Sequence, residues 1–254
     1  MSYFYLYDSY LQDKAYSSQL IRLETTLTDL GIYGKIGRLT LLKSIRDLIE
    51  NSLREEVDTV VAVGNDLTLS QAAEVLAKHP KVTLGFIPLG QEQQNLAPLL
   101  GIPLGVVACH VLSGRLVETI NLGKINNQWF LQSITTEGRP IIDCDHDYQL
   151  TLPQPHFIKI SNLDWLDQTA QTASHPQRGS LDLLLQPLTQ KNWWPFKQKT
   201  AVQSSLFPVK NIKLLNNDAG LTLLVDKYRV IKTPATIGLA TEKLRLIVGK
   251  ERKF

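Results

Sequence analysis

Several things are scarce in this 254-residue chain, and each scarcity narrows what it does. Two cysteines, Cys109 and Cys144, supply neither a disulfide framework nor a thiolate metal cluster, so a reducing cytoplasm is the expected compartment. The five histidines are scattered without HxxxH-type pairing, and no G-x-S-x-G occurs, so the zinc-protease and α/β-hydrolase signatures are missing. "DCDHD", Asp143 to Asp147, reads as a solvated acidic loop rather than a metal cage, and no metal ligands are assigned. The opening "MSYFYLYDSYLQDKAY" lacks the basic start of a signal peptide. The longest apolar run, "LAPLLGIPLGVVACHVL", is interrupted by Pro98, Gly101, Pro103 and Gly105 and is too short to span a bilayer. Net charge is only +3, with no basic stripe, so nucleic acid is not an expected partner.

What is present is apolar patterning sufficient for a sizeable core, with 43% hydrophobic and 20% charged residues. The first third alternates strand-like and helix-like segments. "YFYLY" (Tyr3 to Tyr7) opens as a strand, and Leu20, Leu23, Leu27 and Leu30 share a helical face that stops at Gly31. "KIGRL" is a short strand. "TLLKSIRDLIENSLREE" places Leu41, Leu42, Ile45, Leu48, Ile49 and Leu53 at helical spacing. "TVVAV", "LSQAAEVLAKH" and "VTLGFIPL" complete the pattern as strand, helix and strand. Continuous apolar strands between amphipathic helices predict a parallel, Rossmann-like sheet covered on both faces, with ligands beyond the carboxyl strand ends.

After about Gly101 the texture changes to short strand candidates between Gly, Pro, Asn and Asp turns: "VVACHVLSG", "RLVETINLGKI", "QWFLQSIT", "YQLTLP", "HFIKIS", "SLDLLLQPL", "VKNIKLL", "GLTLLVD" and "KLRLIVG". The expectation is an α/β nucleotide-binding-like domain over 1–104, then an antiparallel, β-sandwich-like domain over 105–254 whose last residues pack back on the first.

Two strand ends carry loops of chemical interest, "VGNDLT" (Val63 to Thr68) and "PLGQEQQNLAPLLGIP" (Pro88 to Pro103). A phosphate cradle needs backbone N–H groups aimed at the ligand just before a helix, on residues that tolerate unusual φ and ψ. Taken in order, these loops resemble the diacylglycerol kinase catalytic-domain family, which includes bacterial lipid kinases and sphingosine kinases and shares its fold with NAD kinases. In that family one strand leads to GGDGT and a helix, and the next leads to PLGTGNDFARALGIP. "RLVETINLGKINNQWFLQSIT", "HFIKISN", "GSLDLLLQPL" and "LLVDKYRV…TPATIGLATEKLRLIV" are similar to the family's later β segments.

The resemblance implies an enzyme that phosphorylates a lipid hydroxyl with ATP and Mg²⁺. It carries nucleotide contacts onto Asp8, Gly64, Asn65, Asp66, Thr68, Gly90, Gln91 and Asn95, and catalytic positions onto Asp66 and Asp226. The departures imply the opposite. The opening NPxSG is replaced by Tyr7-Asp8-Ser9-Tyr10, GGDGT by GNDLT, and GTGND by Gln91 to Asn95. DGE has become Asp226-Lys227-Tyr228, without the glutamate that serves the family as general base. Two functions follow: a lipid kinase whose turnover is weak or lost, or an inactive kinase-like binding or scaffold protein.

Leu67 is the pivotal substitution. At a glycine position with positive φ it would cost about 1–2 kcal/mol and force the loop into another geometry. Asp66, Thr68 and Ser70 each have a second reading, as caps of the following helix. "KNWWPFKQK" offers Trp193, Trp194 and Phe196 either as a peripheral membrane contact or as packing against the sheet. A homodimer is a further possible assembly.

Overall fold

Seven segments set the first layer, in a computed structural model that describes residues 2–90, 92–145, 147–167, 172–188, 204–215 and 220–254. They are β1 (Tyr3–Tyr7), α1 (Ser17–Asp29), β2 (Gly34–Arg38), α2 (Ile45–Leu53), β3 (Thr59–Gly64), α3 (Asp66–Leu76) and β4 (Thr83–Pro88). The strands run parallel in the order β2-β1-β3-β4, and every residue of β1, β3 and β4 is buried. That is why these strands read as unbroken apolar runs: helices cover both faces, leaving no solvent side to alternate with.

The helix expected from Leu41 begins later. Ser44 and Asp47 form a reciprocal capping box that starts α2 at Ile45, so Leu41 and Leu42 stand in the preceding turn, 105% and 94% exposed. Two short helices follow β4: α4 (Leu96–Leu99) and α5 (Ala108–Gly114). The second corrects the strand expected at "VVACHVLSG". Ala108, Cys109 and Leu112 are its buried residues, a helical face four residues deep that a short apolar run does not distinguish from a strand.

The rest is β structure: β5 (Val117–Ile125), β6 (Gln128–Phe130), β7 (Ser133–Gly138), β8 (Ile141–Cys144), β9 (Tyr148–Thr151), β10 (His156–Ser161), β11 (Trp165–Asp167), β12 (Thr172–Ala173), β13 (Leu181–Pro187), β14 (Ser205–Val209), β15 (Asn211–Leu215), β16 (Thr222–Val225), β17 (Arg229–Lys232) and β18 (Ala235–Ile247). The acidic "DCDHD" segment is therefore part strand, since Asp143 and Cys144 close β8. Asp145 turns the chain and accepts the Asn211 N–H at 2.7 Å.

One six-stranded antiparallel sheet has the order β14-β13-β10-β7-β16-β17. Its partner layer grows directly out of the parallel sheet through β18-β15-β8-β9. Ile134, Ile158, Leu183 and Leu223 of the first layer meet Ile142, Ile212, Leu214 and Ile237 of the second in one buried cluster. A separate cluster fills the parallel sheet and its helices. The α/β layer and antiparallel sandwich expected from the sequence are both present.

Candidate functional site

Asp8, Leu39 and Asn65 each lie just past the carboxyl end of a parallel strand, and together they edge a cleft of about 1060 Å³. Thr68 and Leu67 on the first turn of α3 line the same cleft. Switch-side strand ends are where open α/β sheets place ligands.

The floor is closely packed. Thr68 Oγ1 donates to Asp8 Oδ2, and Ser9 Oγ donates to Asp8 Oδ1 at 3.2 Å. A Cβ on Gly64 would lie 2.5 Å from Thr68 Oγ1 and 3.0 Å from Asp8 Cβ, so Gly64 is needed for this side-chain pair to meet. Gly90, with φ +125°, lies under the ring of Tyr10, whose hydroxyl donates to the Leu89 carbonyl at 2.5 Å.

The first turn of α3 presents no donor to the cleft. Asn65 is the N-cap, with φ −114° and ψ −173°, and its Oδ1 accepts the N–H groups of Leu67 at 3.0 Å and Thr68 at 3.3 Å. Thr68 Oγ1 accepts the Asn65 N–H at 3.3 Å, closing a capping box. The Asp66 N–H goes to the Gln93 carbonyl at 2.9 Å, and the Leu69 N–H to the Asn65 carbonyl at 3.2 Å. Leu67 is an ordinary helical residue here, and positive φ is absent from Asn65 to Thr68. The cap is Asn65, a residue not among the three cap candidates read from the sequence.

Asp66 faces the other way. It is fully buried, and its carboxylate accepts the N–H groups of Asn95 at 2.8 Å and Leu96 at 3.1 Å. Burial pushes this carboxyl up to about 6, against the opposing pull of those two N–H groups and of Lys227. The two loops singled out in the sequence thus cap each other. Trp165 lies over the second, its Nε1–H donating to the Asn95 carbonyl at 3.0 Å.

Asp226 is brought to neither loop. It has 0% exposure and accepts the N–H groups of Leu131 and Gln132 at 2.8 Å and of Ser133 at 3.2 Å, clamping the turn between β6 and β7. Burial pushes its carboxyl up to about 6 as well, opposed by those N–H groups and by Arg229. Two residues on, Tyr228 donates to Glu74 of α3 at 2.8 Å, and Arg229 pairs with the same carboxylate at 2.7 Å. Burial and the Glu74 charge raise the Tyr228 hydroxyl pKa, so it stays protonated. Glu74 was missed as a site-shaping residue, and Asn65, read as a nucleotide contact, was missed as the cap of α3. The S/T/N-x-x-T spacing of Asn65 and Thr68 was the available signal for the second.

Among the expected nucleotide contacts, Asp8, Asn65 and Thr68 line the cleft, and Gly64 borders its floor. Asp66 and Asn95 form the loop clamp beside it, and Gly90 packs under Tyr10. Gln91 lies outside the described residues, as do Trp193, Trp194 and Phe196.

Comparisons with known proteins bear on the family and the fold. Residues 13–125 match the family model described as "Diacylglycerol kinase catalytic domain". A Pseudomonas aeruginosa protein named "Probable lipid kinase YegS-like" is 35% identical over 91 residues, covering 35% of this chain and 30% of that protein. A diacylglycerol kinase of Staphylococcus aureus is 30% identical over 116 residues, covering 44% of this chain and 35% of that one. The matched stretch therefore spans about a third of these curated relatives. A diacylglycerol kinase structure from Bacillus anthracis superposes with TM-score 0.79 at 15% identity, covering 99% of this chain and 98% of that one. An NAD kinase from Archaeoglobus fulgidus in complex with ATP gives TM-score 0.61 at 13% identity, covering 99% and 95%. The resemblance read from the motifs holds, and the fold is that shared by diacylglycerol kinases and NAD kinases.

Proposed function

We propose, for a chain whose residues 13–125 match the diacylglycerol kinase catalytic domain, a lipid-kinase-like protein in which ATP-dependent phosphorylation of a lipid hydroxyl is weak or lost. One observation carries this reading. Every backbone N–H from Asn65 to Leu69 already has an acceptor within the protein. A helix N-terminus holds phosphate through unpaired N–H groups, and here a ligand would have to displace Asn65 Oδ1 and the Gln93 carbonyl to reach them.

Proton transfer is compromised in parallel. Asp66 and Asp226, the two carboxylates at motif positions, hold backbone N–H groups instead of facing the cleft. Tyr228, at the position of the family's base, donates its proton to Glu74. A protonated phenol is no acceptor for a substrate hydroxyl. Charge stabilisation would fall to Lys43, the one cationic side chain lining the cleft among the described residues. Where ATP is bound, Asp8, Asn65 and Thr68 are the residues beside it, and Mg²⁺ would supply the charge neutralisation that one lysine does not. Asp8 is the carboxylate of the cleft suited to that ion, though the Thr68 and Ser9 hydroxyls already occupy it.

The second reading, an inactive binding or scaffold protein, draws on the Tyr228–Glu74–Arg229 network, which replaces the catalytic motif with a link across the two layers. The boundary near residue 104, cytoplasmic residence with peripheral membrane contact, and a homodimer belong to the same proposal. Among the described residues no helix is long and apolar enough to cross a membrane. The deciding experiment incubates purified protein with labelled ATP, Mg²⁺ and a panel of diacylglycerols and sphingoid lipids beside an active kinase of the family. Labelled lipid near the level of that control would sink the proposal.

A further inference from the structure

The cleft beside Asn65 keeps its volume although its phosphate donors are occupied, so its lining identifies what it can still hold. About 1060 Å³ is at the upper end of small-molecule clefts. Among the described residues its ionic lining is one carboxylate, Asp8, and one cation, Lys43, whose charges cancel. Family-type recognition of a triphosphate needs the reverse, several donors and a net positive field.

The walls are apolar. Leu39, Leu41, Leu42, Ile45 and Leu67 all line the cleft. Leu41 and Leu42 are held out in a built turn and have not simply failed to pack. Thr40 and Lys43 exchange backbone hydrogen bonds at 3.4 and 3.3 Å, and the Leu42 N–H reaches Thr40 Oγ1 at 3.3 Å. Two adjacent leucines kept in water at the rim of a cleft are unusual and mark a surface that covers something apolar. The same cleft is lined by Asp8, whose carboxylate retains lone pairs beyond those used by Thr68 and Ser9, and by the side-chain amides of Asn65, whose oxygen is already taken by the helix cap, and Gln71.

We infer that this cleft selects an uncharged, nucleoside-sized ligand, its flat apolar face under Leu41 and Leu42 and its hydroxyl or amino donors on Asp8, and that each added phosphate weakens binding. The inference rests on the reading that the phosphate cradle is closed. It goes beyond loss of turnover by reversing the ligand preference expected of a kinase fold. The negative charge of a phosphorylated ligand meets the Asp8 carboxylate and, among the described residues, finds only Lys43 in compensation, whereas a nucleoside carries no charge and loses nothing from the occupied backbone donors.

The test is calorimetric titration of the full chain with adenosine, AMP, ADP and ATP, each with and without Mg²⁺. Adenosine should bind tightest, with ATP weaker by about tenfold or more. Leu41→Ser with Leu42→Ser, at positions too exposed to affect folding, should weaken adenosine by about tenfold. Affinity rising from adenosine to ATP, no adenosine binding, or an unaffected double variant would each overturn the inference. Tight ATP binding without labelled lipid product would sink it and leave the loss of turnover standing. Labelled product with adenosine still the tighter ligand would do the reverse.

Discussion

The Asp66 carboxylate accepts the Asn95 N–H at 2.8 Å, while the carbonyl two residues before Asn95, on Gln93, accepts the Asp66 N–H at 2.9 Å. Each of the two loops that a nucleotide would need is therefore used by the other. The exchange is internal and nearly complete, and it replaces a phosphate's role with protein acceptors.

Removing that carboxylate should be costly. Asp66→Ala leaves the Asn95 and Leu96 N–H groups without acceptors in a buried setting, a loss of roughly 2–4 kcal/mol in chemical denaturation. Asp66→Asn, which keeps one acceptor oxygen, should lose about half as much. Equal stability of the Ala variant and the parent would show that the clamp contributes nothing.

Asp66 and Asp226 also fix a pH dependence. Each carboxyl titrates near 6 when folded against a reference of 3.8, so between those values the folded chain holds the extra protons. Stability from these two groups is fully present below about pH 4 and is lost as pH rises through about 6. Thermal scans across that window should show a shallower decline for Asp66→Asn. A parallel decline in both proteins would remove Asp66 from the explanation.

Asn65→Gly with Leu67→Gly frees the Leu67 and Thr68 N–H groups and clears the side chain beside them. Glycine is tolerated at an N-cap, while glycine inside the first turn costs about 1 kcal/mol, so the variant should fold with modestly lower stability. Its affinity for ATP should rise about tenfold over the parent in the same titration. Unchanged affinity would mean that Asn65 is not what keeps phosphate out.

Gly64→Ala tests the packing of the floor. The new methyl would meet Thr68 Oγ1 at 2.5 Å and break the Thr68–Asp8 pair, for about 1–3 kcal/mol of destabilisation. Thr68→Ser in the same background trims the neighbour and should recover part of it.

Tyr228→Phe removes one of two donors to Glu74, costing about 1 kcal/mol, whereas Glu74→Ala strands the Arg229 guanidinium in a half-buried place and should cost more. If the phenylalanine variant were the less stable of the two, the charged pair would not be the core of the network.

Local signals were legible where they were long or self-contained. β1, β3 and β4 were readable because complete burial leaves an unbroken apolar run. The start of α2 was misplaced because Leu41 and Leu42 continue its spacing by coincidence, and only the Ser44–Asp47 box stops it. The role of Asp66 was unreadable for another reason: its partners lie 29 and 30 residues away, and no periodicity reports a carboxylate that reaches across to another strand's loop. The motif order revealed the kinase-like fold, yet the residues that fill the cradle became visible only in three dimensions.

The thirteen-residue β18 pairs β4, β5 and β15, joining the parallel sheet to the sandwich. Residues 235–247 emerge from the ribosome long after β4, so the growing chain carries an open parallel edge until β18 is made. Such an edge is an invitation to pair with a neighbouring nascent chain. Final assembly of the protein is therefore a late, long-range event, and a burden on chaperones set by topology alone.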